Sequence, residues 1–169
     1  MNQSESIIPN AEQASQIILL NPSDYEKWRG ENSEIDNELS QNQGFAGKPG
    51  QTAWVKSSEK LSVLVGWDGE ATLETLGNLP YKLPEGVYVV DKEIDLNAII
   101  GWGLGAYSFD RYKKPSRAPA QLEIKNQQLR EKALAIVDAV SLGRDLINTP
   151  ASDMSPSHLE AEVFSLAEQ

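Results

Sequence analysis

The one histidine of the chain, His158, is the first residue to test for catalytic chemistry. It follows Ser155 and Pro156 in a segment typical of the first turn of a helix. The sequence contains no cysteine, so this imidazole has neither a thiolate nor a second histidine with which to bind zinc. A serine nucleophile would also depend on it, and no Gly-x-Ser-x-Gly segment is present. We therefore interpret His158 as an exposed residue at a helix start.

Carboxylates form two short clusters that could hold a metal or form an acid–base pair. One contains Asp36 and Glu38, and the other contains Asp91, Glu93 and Asp95. Both lie in polar stretches, where a solvated surface is far commoner than a glycosidase pair or a calcium site. The sequence therefore predicts no catalytic, cofactor-binding or metal-binding residue in this chain.

One glycine-rich segment, residues 44–50, looks like part of a phosphate-binding loop. It reads Gly-Phe-Ala-Gly-Lys-Pro-Gly. Only two residues separate Gly44 from Gly47, and Pro49 stands where such a loop needs a magnesium-binding hydroxyl. We predict a flexible turn before a strand.

A second glycine-rich segment, residues 101–106, has part of a dinucleotide-binding fingerprint. No strand is predicted directly before these glycines, as the fingerprint requires. Pro115 and Pro119 also interrupt the βαβ unit that should follow. We predict instead that Gly101 and Gly105, four residues apart, mark a helix face that another element approaches closely.

Residues 144–156 read Arg-Asp-Leu-Ile-Asn-Thr-Pro-Ala-Ser-Asp-Met-Ser-Pro and predict a helix end followed by a helix start. Thr149 precedes Pro150, which disfavours helical backbone at Thr149 and has no amide to donate, so the first helix should end near Asn148. Ser155 and Pro156 are typical of a cap and of the first residue of the next helix.

This segment resembles the one that opens the catalytic domain of the leucine aminopeptidase (cytosol aminopeptidase) family. Residues 101–113 read Gly-Trp-Gly-Leu-Gly-Ala-Tyr-Ser-Phe-Asp-Arg-Tyr-Lys and are similar to the glycine-rich helix and Tyr-x-Phe-x-x-Tyr-Lys run just upstream in that family. The order of the two segments also agrees. Ser152 and Ser155 replace the asparagine and glycine that the family usually has there.

The resemblance implies an amino-terminal α/β domain, distantly similar to macro domains, joined by a long helix to the start of a catalytic domain. In that family, two divalent ions (Zn or Mn) are held by carboxylates and a lysine. They activate water in a hexameric enzyme that removes N-terminal residues from peptides. All of those ligands lie downstream of Gln169. We therefore expect no metal site here, an inactive isolated chain, and peptide substrates that bind through the missing domain.

Two other functions are weighed against this one. The similarity to macro domains suggests a small-molecule module that binds ADP-ribose-like nucleotides. DNA binding is opposed by charge, because residues 1–110 contain seven Lys and Arg against seventeen Asp and Glu, whereas residues 111–169 contain eight of each. The basic cluster Arg111, Lys113, Lys114 and Arg117 is interpreted as a solvated linker. We expect no nucleic-acid partner.

Composition also bears on the compartment. No apolar run approaches the ~20 residues that span a bilayer, and the first nine residues lack the basic start and apolar core of a signal peptide. Together with the absence of cysteine, this predicts a cytoplasmic protein with no membrane partner.

The predicted elements alternate between strands and helices. Strands are expected at residues 16–20, 52–56, 61–67 and 87–90. Helices are expected from Pro22 or Ser23, at 33–41 with Ile35 and Leu39 on one face, at 70–76, and from Asp95 through Tyr107. This order predicts an α/β fold with a small mixed sheet flanked by helices, parallel at least in part. Residues 1–15 are expected to be a frayed tail.

The last third of the chain is predicted to be a connector. Apolar residues recur at spacings of three and four over residues 125–147, which predicts one stripe of a long helix; the stripe is Leu129, Ala133, Ile136, Val140, Gly143 and Ile147. A final helix over 156–169 has an apolar face with nothing to pack on. The predicted domains are an amino-terminal α/β domain at 1–112, a linker at 113–121, and the connecting helix with a truncated start of the catalytic domain at 122–169.

Overall fold

The fold is built on one mixed six-stranded sheet. The structure, a computed structural model, describes residues 3–57 and 60–168. The strand order is β1-β6-β5-β2-β4-β3, and every neighbouring pair is parallel except the antiparallel pair β3 and β4. The strands are β1 (Ile7–Ile8), β2 (Ser15–Leu20), β3 (Thr52–Ser57), β4 (Lys60–Gly66), β5 (Val87–Val90) and β6 (Gln121–Glu123). The predicted α/β fold with a mixed sheet is confirmed.

Six α-helices connect and follow the strands. They are α1 (Pro22–Glu31), α2 (Glu34–Asn42), α3 (Leu73–Gly77), α4 (Leu96–Gly105), α5 (Gln127–Asn148) and α6 (Pro156–Ala167). At 1.5 Å per residue, α5 is about 33 Å long. No helix among the described residues combines the length and apolarity needed to cross a bilayer.

Alternate residues of the central strands fill two separate cores. Ile17 and Leu19 of β2 pack in the core that α3, α4 and α5 cover, whereas Ile18 and Leu20 pack with Tyr25 and other residues near α1. Successive strand side chains point to opposite faces of a sheet, so a run of four apolar residues is buried on both sides. The helix predicted from Pro22 or Ser23 forms as α1, and its buried residues are Tyr25 and Trp28.

The glycines of α4 permit the close packing that was predicted for them. A Cβ added to Gly101 would lie 2.0 Å from the Leu73 carbonyl oxygen, and one added to Gly105 would lie 1.8 Å from the Gly77 carbonyl oxygen. The backbones of α3 and α4 therefore approach closer than any side chain would allow. On another side of α4, a Cβ at Gly103 would lie 2.5 Å from Val137 of α5.

Residues 44–50 form a turn, as predicted. Gly44, Gly47 and Gly50 all have positive φ angles, which glycine adopts without steric cost. A Cβ at Gly47 would also collide with the backbone of Asn21, at 2.7 Å. The turn packs against the start of α1 and presents no phosphate-binding geometry.

The prediction of a frayed tail over residues 1–15 is wrong for its described part. Gln3–Ser6 is a 3-10 helix, and β1 pairs with β6 so that Ile7 lies opposite Leu122. Trp102 Nε1 donates a hydrogen bond to the Ser6 carbonyl oxygen at 3.1 Å. A strand of two residues is too short to give a periodic signal, and its partner β6 was also missed because it begins within the predicted linker. Residues 1–2 lie outside the described part.

The predicted helix at 33–41 forms as α2, but the face that carries its apolar pair is not the buried one. Ile35 and Leu39 are 70% and 40% exposed, whereas Asp36 and Ser40 are buried. Hydrogen bonds explain why the polar residues are the buried ones: Asp36 Oδ1 accepts from Lys56 N at 2.8 Å, and Ser40 Oγ pairs with Tyr25 Oη at 2.8 Å. A buried polar face is stable when its groups are satisfied in this way.

The predicted long helix is confirmed as α5, but the predicted apolar stripe is not the face that packs against the sheet. The buried residues of α5 are Ala133, Val137 and Ser141, whereas Ile136, Val140 and Ile147 are 41%, 37% and 83% exposed. Ile136, Val140 and Ile147 share one face of the helix, and the face packed against the sheet domain is the adjacent one, which carries Val137 and Ser141.

Candidate interdomain junction

The end of α5 and the start of α6 form as the sequence predicts. Thr149 has an extended backbone, with φ −75° and ψ 123°, so α5 stops at Asn148, the residue before it. Pro156 occupies the first turn of α6, and Ser155 N donates to His158 Nδ1 at 3.2 Å. His158 is therefore an exposed capping residue, as its position at a helix start suggested.

A hydrogen-bonded group joins the segment after α4 to the last turn of α5. Tyr107 Oη donates to Asp145 Oδ1 at 2.7 Å and accepts from Asn148 Nδ2 at 3.0 Å. Arg144 Nη1 donates to the Leu104 carbonyl oxygen at 2.9 Å, and the Arg144 guanidinium lies 5.1 Å from the centre of the Tyr107 ring. The α5 terminus is thus held to α4 by charged and aromatic groups together.

Further hydrogen bonds continue along the loop between α5 and α6. Arg111 Nη1 donates to Thr149 Oγ1 at 3.3 Å, and the same hydroxyl donates to the Asp145 carbonyl oxygen at 2.7 Å. Tyr112 Oη donates to Asp153 Oδ2. Residues 107–112 therefore fix the helix end and the adjoining loop, and we call this set of contacts the junction.

Electrostatic effects at the junction agree with this bonding. Desolvation and the bond to Asp145 raise the pKa of Tyr107 above its usual 10.0. The bond from Tyr112 lowers the pKa of Asp153 below its usual 3.8. The bond to Asp153 likewise raises the pKa of Tyr112, so each tyrosine keeps its neutral, hydrogen-bond-donating form to a higher pH than a free phenol.

Two apolar surfaces beside the junction have no partner among the described residues. One is the outer face of α5, with Ile136, Val140 and Ile147. The other is α6, which buries none of its residues; Leu159, Val163, Phe164 and Leu166 are 46% to 64% exposed. Contiguous apolar surface of this kind marks an interaction site on a folded protein.

The decisive comparison is with a family of peptidases. A family profile described as "M17 aminopeptidase, N-terminal domain" matches residues 15–125. The chain belongs to the M17 aminopeptidase family. This agrees with the resemblance of residues 101–113 and 144–156 to leucine aminopeptidases.

Relatives and solved structures agree with the M17 assignment. A probable cytosol aminopeptidase of Wolinella succinogenes is 28% identical over 182 residues, covering 93% of this chain and 37% of the relative. One from Streptomyces avermitilis is 35% identical over 81 residues, covering 39% of this chain and 16% of the relative. The crystal structure of Coxiella burnetii cytosol aminopeptidase superposes with a TM-score of 0.83 at 30% identity, covering 94% of this chain and 36% of that one.

A mutant of tomato leucine aminopeptidase shares the fold at 17% identity, with a TM-score of 0.66, and covers 96% of this chain and 41% of that one. The M17 chain described here thus spans little more than a third of the length of the first of these relatives and of the two solved structures.

The carboxylates of this M17 domain serve structural roles or face solvent. Asp36 is buried, contrary to the expectation of an exposed run, and Asp95 caps α4 by accepting from Asn97 N and Ala98 N. Glu38 and Glu93 are exposed. Within residues 3–57 and 60–168, no three His, Cys, Asp or Glu side chains come together as a group that could hold a metal ion. The residues present do not fit the metal pair that the family resemblance implies.

The crevice where nucleotides bind in related α/β folds is closed here. In open α/β sheets that crevice lies at the carboxyl ends of the strands where the strand order reverses, here between β2 and β5. Asp91 Oδ1 accepts from Leu19 N at 3.1 Å, and Lys92 Nζ donates to the Leu19 carbonyl oxygen at 2.7 Å while lying 5.0 Å from the Trp67 ring centre. These two side chains therefore bridge the end of β5 to β2 at the point where the crevice would open. Nothing here favours the nucleotide-binding alternative.

The basic cluster is partly anchored rather than solvated. Arg117 Nη1 donates to the Leu83 carbonyl oxygen at 2.9 Å, Nη2 donates to the Tyr81 carbonyl oxygen, and the guanidinium lies over the Tyr81 ring. Arg111 belongs to the junction, and only Lys113 and Lys114 project into solvent without such contacts. The boundaries at 112 and 121 remain a prediction.

Sequence reasoning found both junction segments but missed that they contact each other. The available signal was the density of paired hydrogen-bonding groups: two tyrosines and an arginine in residues 107–112, against two aspartates and a threonine in residues 145–153. Complementary side chains in two segments of one family pattern could have suggested the contact.

We expect Tyr107→Phe to destabilise the chain by about 1 kcal/mol, because Asp145 and Asn148 both lose a part-buried hydroxyl partner. Tyr112→Phe is the matched control. Its hydroxyl bonds to Asp153 at an exposed position, so its loss should cost less than about 0.5 kcal/mol. Urea unfolding monitored by circular dichroism measures both. Equal effects of the two substitutions would contradict the view that Tyr107 is the centre of the junction.

Proposed function

We propose that this chain is the amino-terminal, non-catalytic portion of a cytoplasmic, metal-dependent leucyl aminopeptidase that removes N-terminal residues from peptides. The observation that carries the proposal is the junction, in which the two family-like segments meet at the end of α5, just before α6 begins. The role of the domain would be to position a catalytic portion joined to it through α6, not to contribute reacting groups.

The unpartnered apolar surfaces support this role. The outer face of α5 and the whole of α6 expose large aliphatic and aromatic side chains, which a longer protein of this family would cover. We propose that the catalytic portion packs there. The two divalent ions, Zn or Mn, and the peptide substrate would bind in that portion, outside this sequence.

The proposed partners of the parent enzyme are peptides and further copies of itself, in a hexamer. The acidic balance of residues 1–110 argues against nucleic acid as a partner, since phosphate backbones would be repelled.

The proposal predicts that the isolated chain has no peptidase activity. Incubated with leucine p-nitroanilide and either Mn²⁺ or Zn²⁺, the folded 169-residue chain should release p-nitroaniline no faster than buffer containing the same metal. A full-length cytosol aminopeptidase assayed in parallel provides the positive control, and circular dichroism shows that the chain is folded. Metal-dependent release that saturates with substrate would refute the proposal.

A further inference from the structure

An apolar groove opens at the carboxyl ends of β5 and β6, beside the closed crevice. Its volume is about 530 Å³, within the range typical of small-molecule sites. The groove is bounded on one side by the loop after β5 and on the other by the first turn of α5. Its apolar wall consists of Val89, Val90, Ile94, Ile99, Ile124 and Leu129.

A nearly buried carboxylate lines the same groove. The Glu123 side chain is 6% exposed, and its Oε1 lies 3.5 Å from Lys125 Nζ, whose side chain is 75% exposed. Among the described residues, this ammonium is the one ion-pair or hydrogen-bond partner of the Glu123 carboxylate. A buried carboxylate is stable when several donors surround it, so Glu123 has unused capacity for a cationic donor.

The charges around the groove favour a cation over an anion. Asp91, Glu93 and Glu123 contribute three carboxylates. Two lysines oppose them, Lys125 and Lys92, and the Lys92 ammonium is held at the Leu19 carbonyl oxygen and over the Trp67 ring; the lining therefore has more carboxylates than ammonium groups. The start of α5 attracts anions, but the side chain of Asn126 already caps it by accepting from Leu129 N at 3.1 Å.

We propose that this groove binds the protonated amine of a ligand that has a large apolar side chain, the chemistry of a peptide N-terminus or of an apolar amino acid. The ammonium donates to Glu123, displacing the exposed Lys125 side chain, and the apolar side chain lies against the Ile94 and Leu129 wall. The proposal goes beyond the proposed function and stands without it, because it concerns binding and needs no turnover.

Calorimetric titration of the full 169-residue chain at low ionic strength tests the proposal with four probes. Leucinamide has both the protonated amine and the apolar side chain, and glycinamide lacks the apolar side chain. N-acetyl-leucinamide is uncharged, and N-acetyl-leucine carries a negative charge instead of a positive one. Leucinamide should bind saturably, and each of the other three should bind at least about tenfold more weakly. Equal binding of N-acetyl-leucinamide, preference for N-acetyl-leucine, or no saturable binding of leucinamide would each overturn the proposal.

Two substitutions should move leucinamide binding in opposite directions. Glu123→Gln keeps the shape of the side chain and removes its charge, so affinity should fall about tenfold. Lys125→Gln removes the competing ammonium, so affinity should rise several-fold. Glu160→Gln, an equal charge change on exposed α6, serves as the control and should leave affinity unchanged. If Glu123→Gln fails to fold, the Lys125→Gln result still decides, since unchanged or weaker binding there would contradict the assigned contact.

The same experiment distinguishes a peptide N-terminus from a single amino acid as the ligand. Leu-Gly-Gly tests the N-terminus of a peptide and leucinamide tests a single residue. Tighter binding of the peptide supports a site for peptide N-termini, and equal binding supports a site for one apolar residue.

Discussion

Replacing Gly105 by alanine is expected to destabilise the fold by about 3 kcal/mol or more. The added methyl group would lie 1.8 Å from the Gly77 carbonyl oxygen, and it would meet backbone, which cannot rotate away as a side chain can. Relief requires α3 and α4 to separate, which would open the core around Leu76 and Ile99, both fully buried. Urea unfolding followed by circular dichroism measures the loss.

The matched control is Gly143→Ala in α5, where nothing lies within 4 Å of the added methyl group. Alanine is the better helix former, so this variant should be more stable than the parent by up to about 1 kcal/mol. The same glycine-to-alanine substitution is therefore expected to lower stability at position 105 and to raise it at position 143. If both variants lie within about 0.5 kcal/mol of the parent, the spacing of α3 and α4 does not depend on these glycines.

Features that depend on local backbone geometry could be predicted from the sequence, and the glycines of α4 are one example. Gly101 and Gly105 are four residues apart on one helix, and that spacing alone indicates a face that must stay free of side chains. The helix end at Asn148 was equally predictable, since Thr149 and Pro150 act on the backbone locally, whatever surrounds them. Local steric rules therefore suffice to predict where this helix ends.

The features that the sequence did not predict depend on contacts between distant segments. β1 and β6 are short strands that form through pairing with segments far away in the sequence: β1 pairs with β6, where Ile7 lies opposite Leu122, and β6 also pairs with β5. The faces of α5 could not be separated either, because Ala133 and Ile136 are both apolar and only the position of the sheet decides which is buried. The groove at Glu123 was hidden for the same reason, since β6 itself was not recognised.

The buried polar face of α2 protects the exposed edge of the sheet. Strand β3 lies at that edge, where unpaired backbone groups invite pairing with another chain. Gln43 Oε1 accepts from Trp54 N and Gln43 Nε2 donates to the Trp54 carbonyl oxygen, both at 2.8 Å. Asp36 Oδ1 accepts from Lys56 N, two residues along. Side chains of α2 and its C-terminal cap thus take the place of a neighbouring strand.

We expect Asp36→Ala to cost about 3 kcal/mol of unfolding free energy and to increase aggregation. The Lys56 amide loses its charged acceptor, and the Ser33 hydroxyl loses the bond that it donates to Asp36 Oδ2 at 2.6 Å. Asp36→Asn should lose less, because its amide oxygen still accepts from Lys56. The control is Glu38→Ala on the exposed face of the same helix, which should change stability by less than about 0.5 kcal/mol. Urea unfolding and light scattering at raised temperature measure the two effects. Loss of stability in Asp36→Ala without faster aggregation would mean that Gln43 alone protects the edge, since the strand would then remain covered at Trp54.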